Sequence, residues 1–307
     1  MLFFGNAAPD AKIVVLYGNC QIPFLATLLA AANEDLGFLC VLNHAPPGQE
    51  AGRPSFEQIS RCCLYLEQYD SQIDELAAAG RVSDVHRYGL QVRKYLREHF
   101  PDGCPKIVFP SLVMTCMWPF AAIGNPRNVA EPGYVWGRYP YGNRLANEVV
   151  ARGLQGASAL EAYMQLSAER LPHMPTVLER AKRKLEKRDT HCDVKIADYV
   201  WTRFREKHLF LSYAHVRPEL VGELAVRLLI AMQPFMVELD GQLPRARLLA
   251  AIEKLPDMDV MEEPIEQSVA QGLGLGFYEP EMRFRWYTQQ WTFAEYMTNY
   301  LDNNLSW

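Results

Sequence analysis

Residues 12–32 read KIVVLYGNCQIPFLATLLAAA, and this stretch decides the class of fold. Lys12 to Tyr17 is a short β-branched run, which is typical of a buried strand. Ile22 to Ala32 predicts a helix, since the apolar run continues and Pro23 is acceptable in a first helical turn. Phe38 to Asn43 predicts a second strand. The three segments together indicate a βαβ unit that opens a parallel sheet.

Elements later in the chain extend this prediction. Residues 106–110 (KIVFP) and 208–213 (HLFLSY) have strand character, and residues 144–206 are mainly helical. The C-terminal part, residues 240–307, predicts further helices and an aromatic-rich segment that packs back on the body. We therefore predict a single α/β domain over residues 1–307, with a parallel sheet flanked by helices and a helical insertion. Single helices are predicted at Asp84–Phe100, Thr176–Arg188, Arg217–Gln233 and Leu243–Leu255.

Composition excludes several classes of protein. The 307 residues carry a net charge of −5, which argues against general affinity for nucleic acid. No stretch approaches the roughly 20 apolar residues that cross a bilayer, and MLFFGNAAPDAK lacks the features of a secretory signal. We therefore expect a cytoplasmic protein. The seven cysteines include no CxxC pair, which favours reduced thiols over a disulfide framework or a zinc site.

Cys20 is the candidate nucleophile, because it follows the first parallel strand and precedes a helix. Ligands bind beyond the carboxyl ends of such strands, and the start of a helix favours thiolate over thiol. Free N–H groups there would stabilise an oxyanion. Gly18 and Asn19 suit a tight turn because both accept positive φ, and the Gln21 amide could reach a substrate carbonyl. Alternatively, Cys20 packs beneath the helix as a small apolar residue.

The order of several motifs resembles the WcbI family of capsular polysaccharide biosynthesis enzymes. Gly-Asn-Cys-Gln follows the first strand, and Phe-Pro-Ser at 109–111 is followed by Trp-Pro at 118–119. Tyr-Gly-Asn-Arg at 141–144 opens a helix, and Leu-Phe at 209–210 shortly precedes His215. The resemblance spans roughly residues 12 to 235. It implies a fold related to the SGNH (GDSL-like) hydrolases, binding of coenzyme A or acetyl-CoA, and O-acetylation of a capsule sugar.

The SGNH pattern places a nucleophilic serine after the first strand, where this chain has Cys20. Its last block is D-x-x-H, and here the matching residues are Ser212 to His215, so the acid is absent. A Cys–His pair depends less on a third residue because a thiol is more acidic than a hydroxyl. His215 follows a predicted strand, which should bring it to the same sheet edge as Cys20 as the general base. It is alternatively a structural or capping residue, with His44 as the reserve candidate.

Coenzyme A carries phosphates, which favour arginine, lysine and helix N-termini. Arg144, next to Asn143 in the turn that opens a helix, is one candidate contact, and Arg203 and Lys207 are others; each is alternatively an ordinary surface charge. Aromatic side chains could line an adenine or pantetheine slot or belong to the core. The candidates for that slot are Trp118, Tyr141 and Trp136. Ser111, after a strand end, is a candidate ligand donor or a turn-capping hydroxyl.

These residues predict transfer of an acetyl group from acetyl-CoA to a carbohydrate hydroxyl. Either Cys20 carries the acetyl group as a thioester, or His215 activates the hydroxyl directly and Cys20 only shapes the site. Two alternatives stay open at this point. One is a thiol-dependent esterase or deacetylase that uses water as acceptor, and the other is a non-catalytic CoA-binding component of a capsule biosynthesis complex.

Overall fold

The computed structural model describes residues 1–44, 52–70, 73, 77, 80, 84–122, 124–235 and 242–307, without the side chains of 84–86 and 242–243. The first two residues of the predicted 240–307 extension therefore lie outside the description. The chain divides into two compact units. Unit 1 comprises residues 1–112, 184–200 and 216–258, and unit 2 comprises residues 113–183, 201–215 and 259–307.

Unit 1 contains a mostly parallel sheet of five strands. The strand order is β1-β3-β2-β4-β5, with β2, β3, β4 and β5 parallel and β1 antiparallel to β3 at one edge. The strands are β1 (Leu2–Gly5), β2 (Ile13–Gly18), β3 (Gly37–Leu42), β4 (Cys62–Tyr69) and β5 (Lys106–Pro110). All six residues of β2 are buried, as expected for a central strand covered on both faces.

Eleven α-helices and one 3-10 helix, Gln233–Phe235, have their bounds within the described residues, and the α-helices confirm every helix predicted from the sequence. None of the described helices is long and apolar enough to cross a membrane. Their bounds are α1 (Ile22–Ala32), α2 (Phe56–Ser60), α3 (Asp84–His99), α4 (Arg144–Ala151), α5 (Gly156–Arg170), α6 (Met174–Asp189), α7 (Ala197–Arg203), α8 (Pro218–Met232), α9 (Gln242–Ile252), α10 (Gln267–Leu273) and α11 (Phe293–Asp302).

Helices cover both faces of the sheet in unit 1. Ile13, Val15 and Tyr17 of β2 pack with Val92 and Leu96 of α3. The alternate residues of β2 point to the other face, where α1 packs with α8 and α9. This arrangement confirms the predicted α/β architecture of a parallel sheet flanked by helices.

Unit 2 is built around aromatic side chains. Tyr139, Tyr163, Trp286, Tyr296 and Tyr300 are buried in one cluster with residues of α4, α5 and α11. The prediction that the aromatic C-terminal segment packs back on the protein is therefore confirmed. Two short antiparallel pairs complete the unit, β6 (Ala121–Ala122) with β7 (Gly142–Asn143) and β8 (Phe284–Trp286) with β9 (Gln289–Trp291).

The predicted strand over residues 208–213 is wrong. The segment is a buried bend, in which the N–H groups of Leu211 and Ser212 donate to the carbonyl oxygen of His215 at 2.8 and 3.3 Å. The bend runs through a core, so Leu209, Phe210 and Leu211 are buried. Their consecutive apolar side chains give the sequence the pattern of a buried strand. The argument that a strand brings His215 to the sheet edge therefore fails.

Candidate functional site

The carboxyl end of β2 is the point at which the sheet changes direction. From β2 the chain passes through α1 to β3 on one side, and then through α2 to β4 on the other side of β2. Loops that leave neighbouring strands in opposite directions open a crevice, and ligands of open α/β sheets bind in such crevices. The turn at residues 19–21 lies at this point.

Cys20 lies in this turn, between the end of β2 and the start of α1. Its thiol is free and half-buried. The N–H of Asn19 donates to Gln68 Oε1 at 2.8 Å, that of Gln21 to Asn19 Oδ1 at 3.0 Å, and that of Ile22 to the Asn19 carbonyl at 3.1 Å. No acceptor for the Cys20 N–H lies among the residues that the structure describes. The oxyanion donor that the turn can supply is therefore the N–H of Cys20 itself.

Gln21 holds the turn in place. Its side chain is fully buried, and its amide brackets the backbone of Leu112: Nε2 donates to the carbonyl at 2.7 Å, and Oε1 accepts from the N–H at 2.9 Å. Gln68 Nε2 also donates to Gln21 Oε1, at 2.9 Å. The sequence predicted a substrate contact for Gln21, but these bonds commit its amide to the protein interior. Its role is to fix the position of Cys20.

Gly18 is required for close packing rather than for a special backbone angle. A Cβ atom at this position would lie 2.6 Å from Gln68 Oε1 and 2.7 Å from Ile22 Cγ2. Neither Gly18 nor Asn19 has a positive φ. The prediction that these two residues occur in the turn because they accept positive φ is therefore wrong. The absence of a side chain at Gly18 lets Gln68 reach the Asn19 N–H.

Ser111 lies at the same edge, directly after β5 and next to the Leu112 backbone that Gln21 holds. Its side chain is fully buried, and its Oγ has no hydrogen-bond partner among the described residues. Its carbonyl accepts a 2.7 Å hydrogen bond from Arg188, whose pKa is lowered by burial. The structure thus brings Ser111 and the Cys20 turn together through Gln21.

His44 follows β3 at the position that corresponds to Cys20 after β2. Gly18 and Leu42 are register partners in the two parallel strands, and each candidate lies two residues further along the chain. The Asn43 N–H donates to the Gly18 carbonyl at 2.8 Å, and Asn43 Oδ1 lies 2.7 Å from His44 Nδ1. The reserve histidine is therefore at the same end of the sheet as the thiol.

His215 belongs to a polar cluster inside unit 2. Its Nδ1 lies 2.7 Å from Asp259 Oδ2, 3.1 Å from the Tyr141 hydroxyl and 3.3 Å from Ser212 Oγ. The Tyr141 hydroxyl also donates to Asp259 Oδ2, at 3.3 Å. Burial and the Asp259 charge raise the pKa of Tyr141 well above its ordinary value. The carboxylate that contacts His215 is therefore Asp259, which lies outside the Ser212–His215 segment.

Two other predicted contacts line a cleft in unit 2. Trp118 is buried and donates from its indole N–H to the Glu263 carbonyl at 3.1 Å. Asn143 accepts from the N–H groups of Leu145 and Ala146, so it caps α4, and its side-chain amide donates to Tyr163. Both residues, and Tyr141, line the same cleft.

The predicted phosphate contacts are exposed residues of unit 2. Arg144 lies with its guanidinium 5.4 Å from the centre of the Phe120 ring, and Arg203 forms a 3.8 Å ion pair with Glu206. Lys207 and Trp136 are exposed as well. These positions are compatible with ligand contacts and equally with ordinary surface positions, so their roles stay predictions.

Comparison with known families decides the identity of the chain. The family model for the polysaccharide biosynthesis enzyme WcbI matches residues 13–234, more than half of the sequence. The chain belongs to the WcbI family. The resemblance inferred from the Gly-Asn-Cys-Gln turn and the motifs that follow it is confirmed. The matched region contains Cys20 and His215 and ends before Asp259.

A solved structure of WcbI, described as a novel polysaccharide biosynthesis enzyme, has the same fold. It superposes with a TM-score of 0.63 at 15% sequence identity, over 95% of this chain and 90% of the WcbI chain. That structure is of the native protein without a disulfide bond between coenzyme A and one of its cysteines. No curated protein sequence matches the chain.

Proposed function

We propose that this WcbI-family protein is an acetyl-CoA-dependent O-acetyltransferase that acts on a capsular polysaccharide or its sugar precursor. The observation that carries the proposal is the position of the half-buried Cys20 thiol at the switch point of the sheet, beside an N–H group that has no acceptor among the described residues. The solved WcbI structure supports it, since its description relates coenzyme A to a cysteine of that protein.

The residues of the Cys20 turn fit a thioester substrate. Acetyl-CoA supplies an acetyl group that is already activated toward a nucleophile. The Cys20 N–H is available to a carbonyl oxygen as that oxygen gains negative charge, and the buried Gln21 amide keeps the turn rigid. Fixed donors stabilise such charge better than water does, because they need no reorganisation.

Two chemical roles remain for Cys20. In one, its sulfur accepts the acetyl group and a coenzyme A thiol leaves with the proton. In the other, the thiol shapes the site and the acceptor hydroxyl attacks directly. In both, His215 is the proposed base that takes the proton of the acceptor hydroxyl, and Asp259 stabilises the imidazolium that forms.

Mass spectrometry of the intact protein after mixing with acetyl-CoA tests the proposal. We expect wild-type protein to gain one acetyl group on Cys20 and to release it to a carbohydrate acceptor. Cys20→Ala should gain none, whereas Cys104→Ser, the control at a half-buried cysteine before β5, should behave like wild type.

The outcomes separate the alternatives. Full transfer by Cys20→Ser would reject the covalent role and leave direct attack. Loss of the acetyl group to water alone, also from a chromogenic ester without coenzyme A, would indicate an esterase. Protection of the fold by coenzyme A without any acyl transfer would indicate a binding component. A cytoplasmic location and association with a biosynthetic complex stay predictions.

A further inference from the structure

Two cysteines of unit 1 are in contact at the amino end of the sheet. Cys62 begins β4, and Cys104 lies two residues before β5, the neighbouring parallel strand. Their sulfur atoms are 3.7 Å apart, and both thiols are free. The Cys20 turn lies at the opposite, carboxyl end of the sheet. The chemistry proposed for Cys20 therefore makes no use of this pair.

Strand pairing holds the two cysteines next to each other. β4 and β5 are in register from Tyr65 and Lys106 onward, and the Tyr65 N–H donates to the Pro105 carbonyl at 2.9 Å. The Cys104 N–H closes the preceding turn by donating to the Pro101 carbonyl at 3.0 Å. Neighbouring strands lie about 4.8 Å apart, and a disulfide spans Cα atoms roughly 4.4–6.8 Å apart. A disulfide therefore fits between β4 and the segment before β5.

The two thiols differ in their access to solvent. Cys62 is 5% exposed, whereas Cys104 is half-buried and follows the exposed residues Asp102 and Gly103. A Cβ atom added at Gly103 would lie more than 4 Å from the other described residues beyond its two chain neighbours, so the space beside Cys104 is open. A small oxidant in solution would therefore meet the Cys104 sulfur first.

The contact between the thiols also makes Cys104 the more nucleophilic of the two. The Cys62 S–H donates to the Cys104 sulfur, which lowers the pKa of Cys104 and raises that of Cys62. The thiolate is the form of cysteine that reacts with oxidants. This hydrogen bond is the largest cause of the raised pKa of Cys62, and it is lost once the Cys104 sulfur is oxidised. Cys62 is then freer to react in turn.

We propose that Cys62 and Cys104 form a peroxide-sensitive thiol pair, in which Cys104 reacts with hydrogen peroxide and Cys62 then closes a disulfide with it. The Cys104 thiolate attacks one peroxide oxygen and the O–O bond breaks, which gives a sulfenic acid. The hydroxide that leaves takes up the proton that the Cys104 thiol released. The Cys62 sulfur then attacks the sulfenic sulfur, the S–O bond breaks, and the leaving hydroxide takes the Cys62 proton. Two thiols thus lose two electrons, and one peroxide becomes two water molecules.

The disulfide would stabilise unit 1 without altering the Cys20 turn. It joins residues 62 and 104 and so closes a covalent loop that contains α3, the helix that packs on one face of the sheet. A cross-link over a loop of this length restricts the unfolded chain and favours the folded one. The inference is independent of the proposed acetyltransferase function, because Cys20 lies at the other end of the sheet.

Peptide mapping of the reduced full-length protein after addition of one equivalent of hydrogen peroxide tests the proposal. We expect a cross-linked peptide pair that contains residues 62 and 104 and that dithiothreitol reverses. Cys104→Ser and Cys62→Ser should lose the cross-link, and the half-buried Cys104 site carries this test if Cys62→Ser does not fold. Cys63→Ser is the matched control and should keep it, because the Cys63 thiol donates instead to the Ile13 carbonyl at 3.5 Å. The thermal midpoint of oxidised wild type should rise by about 3 °C or more.

Four results would overturn the proposal. They are the absence of the cross-link in a large excess of peroxide, conversion of Cys104 to sulfinic acid in wild type, loss of the cross-link in Cys63→Ser, and a disulfide between two molecules in place of the internal one. A cross-linked protein with an unchanged thermal midpoint would reject the stabilising effect of the disulfide.

Discussion

His215 Nδ1 and Asp259 Oδ2 lie 2.7 Å apart, and this pair joins the histidine of the matched family region to an acid outside it. The side chains are 25% and 10% exposed, so the pair is only partly screened by water. A carboxylate only accepts hydrogen bonds, so this contact places a proton on Nδ1 of the imidazole. A carboxylate in this position both orients the ring and stabilises its protonated form. His215 and Asp259 therefore have the geometry that the base and the acid of the proposed acetyltransferase need.

Asp259→Asn should lower the rate of acetyl transfer about 100-fold or more, because an amide favours the wrong imidazole tautomer and cannot stabilise the imidazolium. The measurement is release of the coenzyme A thiol in the presence of acceptor, as a function of pH. Asp302→Asn is the control, since Asp302 is an exposed carboxylate that accepts a hydrogen bond from the Gly156 N–H. An Asp259→Asn enzyme with the wild-type rate and pH profile would show that the pair is structural.

Coenzyme A should protect Cys20, and not Cys104, from iodoacetamide. Both thiols are half-buried, but Cys104 precedes β5, at the end of the sheet opposite the Cys20 turn. Contact with Cys62 lowers the pKa of the Cys104 thiol, so this residue should react readily. Burial raises the pKa of Cys40 and Cys116, which should react last.

Peptide mapping after timed alkylation, with and without coenzyme A, provides the measurement. Cys104 serves as the internal control within the same molecule. Equal protection of the two thiols, or protection of neither, would contradict a coenzyme A site at the Cys20 turn.

The sequence predicts the part of the fold that depends on local patterns. The β2–α1–β3 unit is recognisable because its apolar runs are uninterrupted and its turn residues are distinct. β4 was not predicted, since Glu67 and Gln68 interrupt its apolar character. Both are nevertheless buried: Arg97 pairs with Glu67, and Gln68 bonds to the Cys20 turn. Polar residues such as these can be buried in a strand only because residues distant in sequence provide their hydrogen-bond partners, and the local pattern does not show those partners.

The candidate site shows the same limit. Cys20 could be predicted because a strand, a turn and a helix place it within one short stretch. Asp259 could not, because nothing in the spacing between Ser212 and His215 points to an acid further along the chain. The predicted contact between the Gln21 amide and a substrate was wrong for a related reason. The partners of this amide, Gln68 and Leu112, come from two other parts of unit 1. Only the folded structure shows that this amide faces inward.

Gln21→Ala should destabilise the protein by about 3 kcal/mol. The substitution leaves the buried N–H and carbonyl of Leu112 without partners, and each such group costs roughly 1–3 kcal/mol. Denaturant unfolding measures the change, and Gln271→Ala on the exposed surface of α10 should change stability by less than about 0.5 kcal/mol. If the two variants are equally stable, Gln21 does not hold the turn.

Glu263→Gln should flatten the dependence of stability on pH. Burial raises the pKa of Glu263 from 4.5 to about 8, so the folded protein keeps a proton that the unfolded chain releases in this window. Stability from this group is fully present below pH 4.5 and is lost as the pH rises to about 8. One proton corresponds to a slope of up to about 1.4 kcal/mol per pH unit.

The amide cannot ionise, so the variant should gain stability relative to wild type as the pH rises from 5 to 8. Chemical denaturation at several pH values measures the two slopes, and Glu161→Gln controls for the loss of an exposed charge. Parallel curves for wild type and Glu263→Gln would mean that the carboxyl titrates as in water.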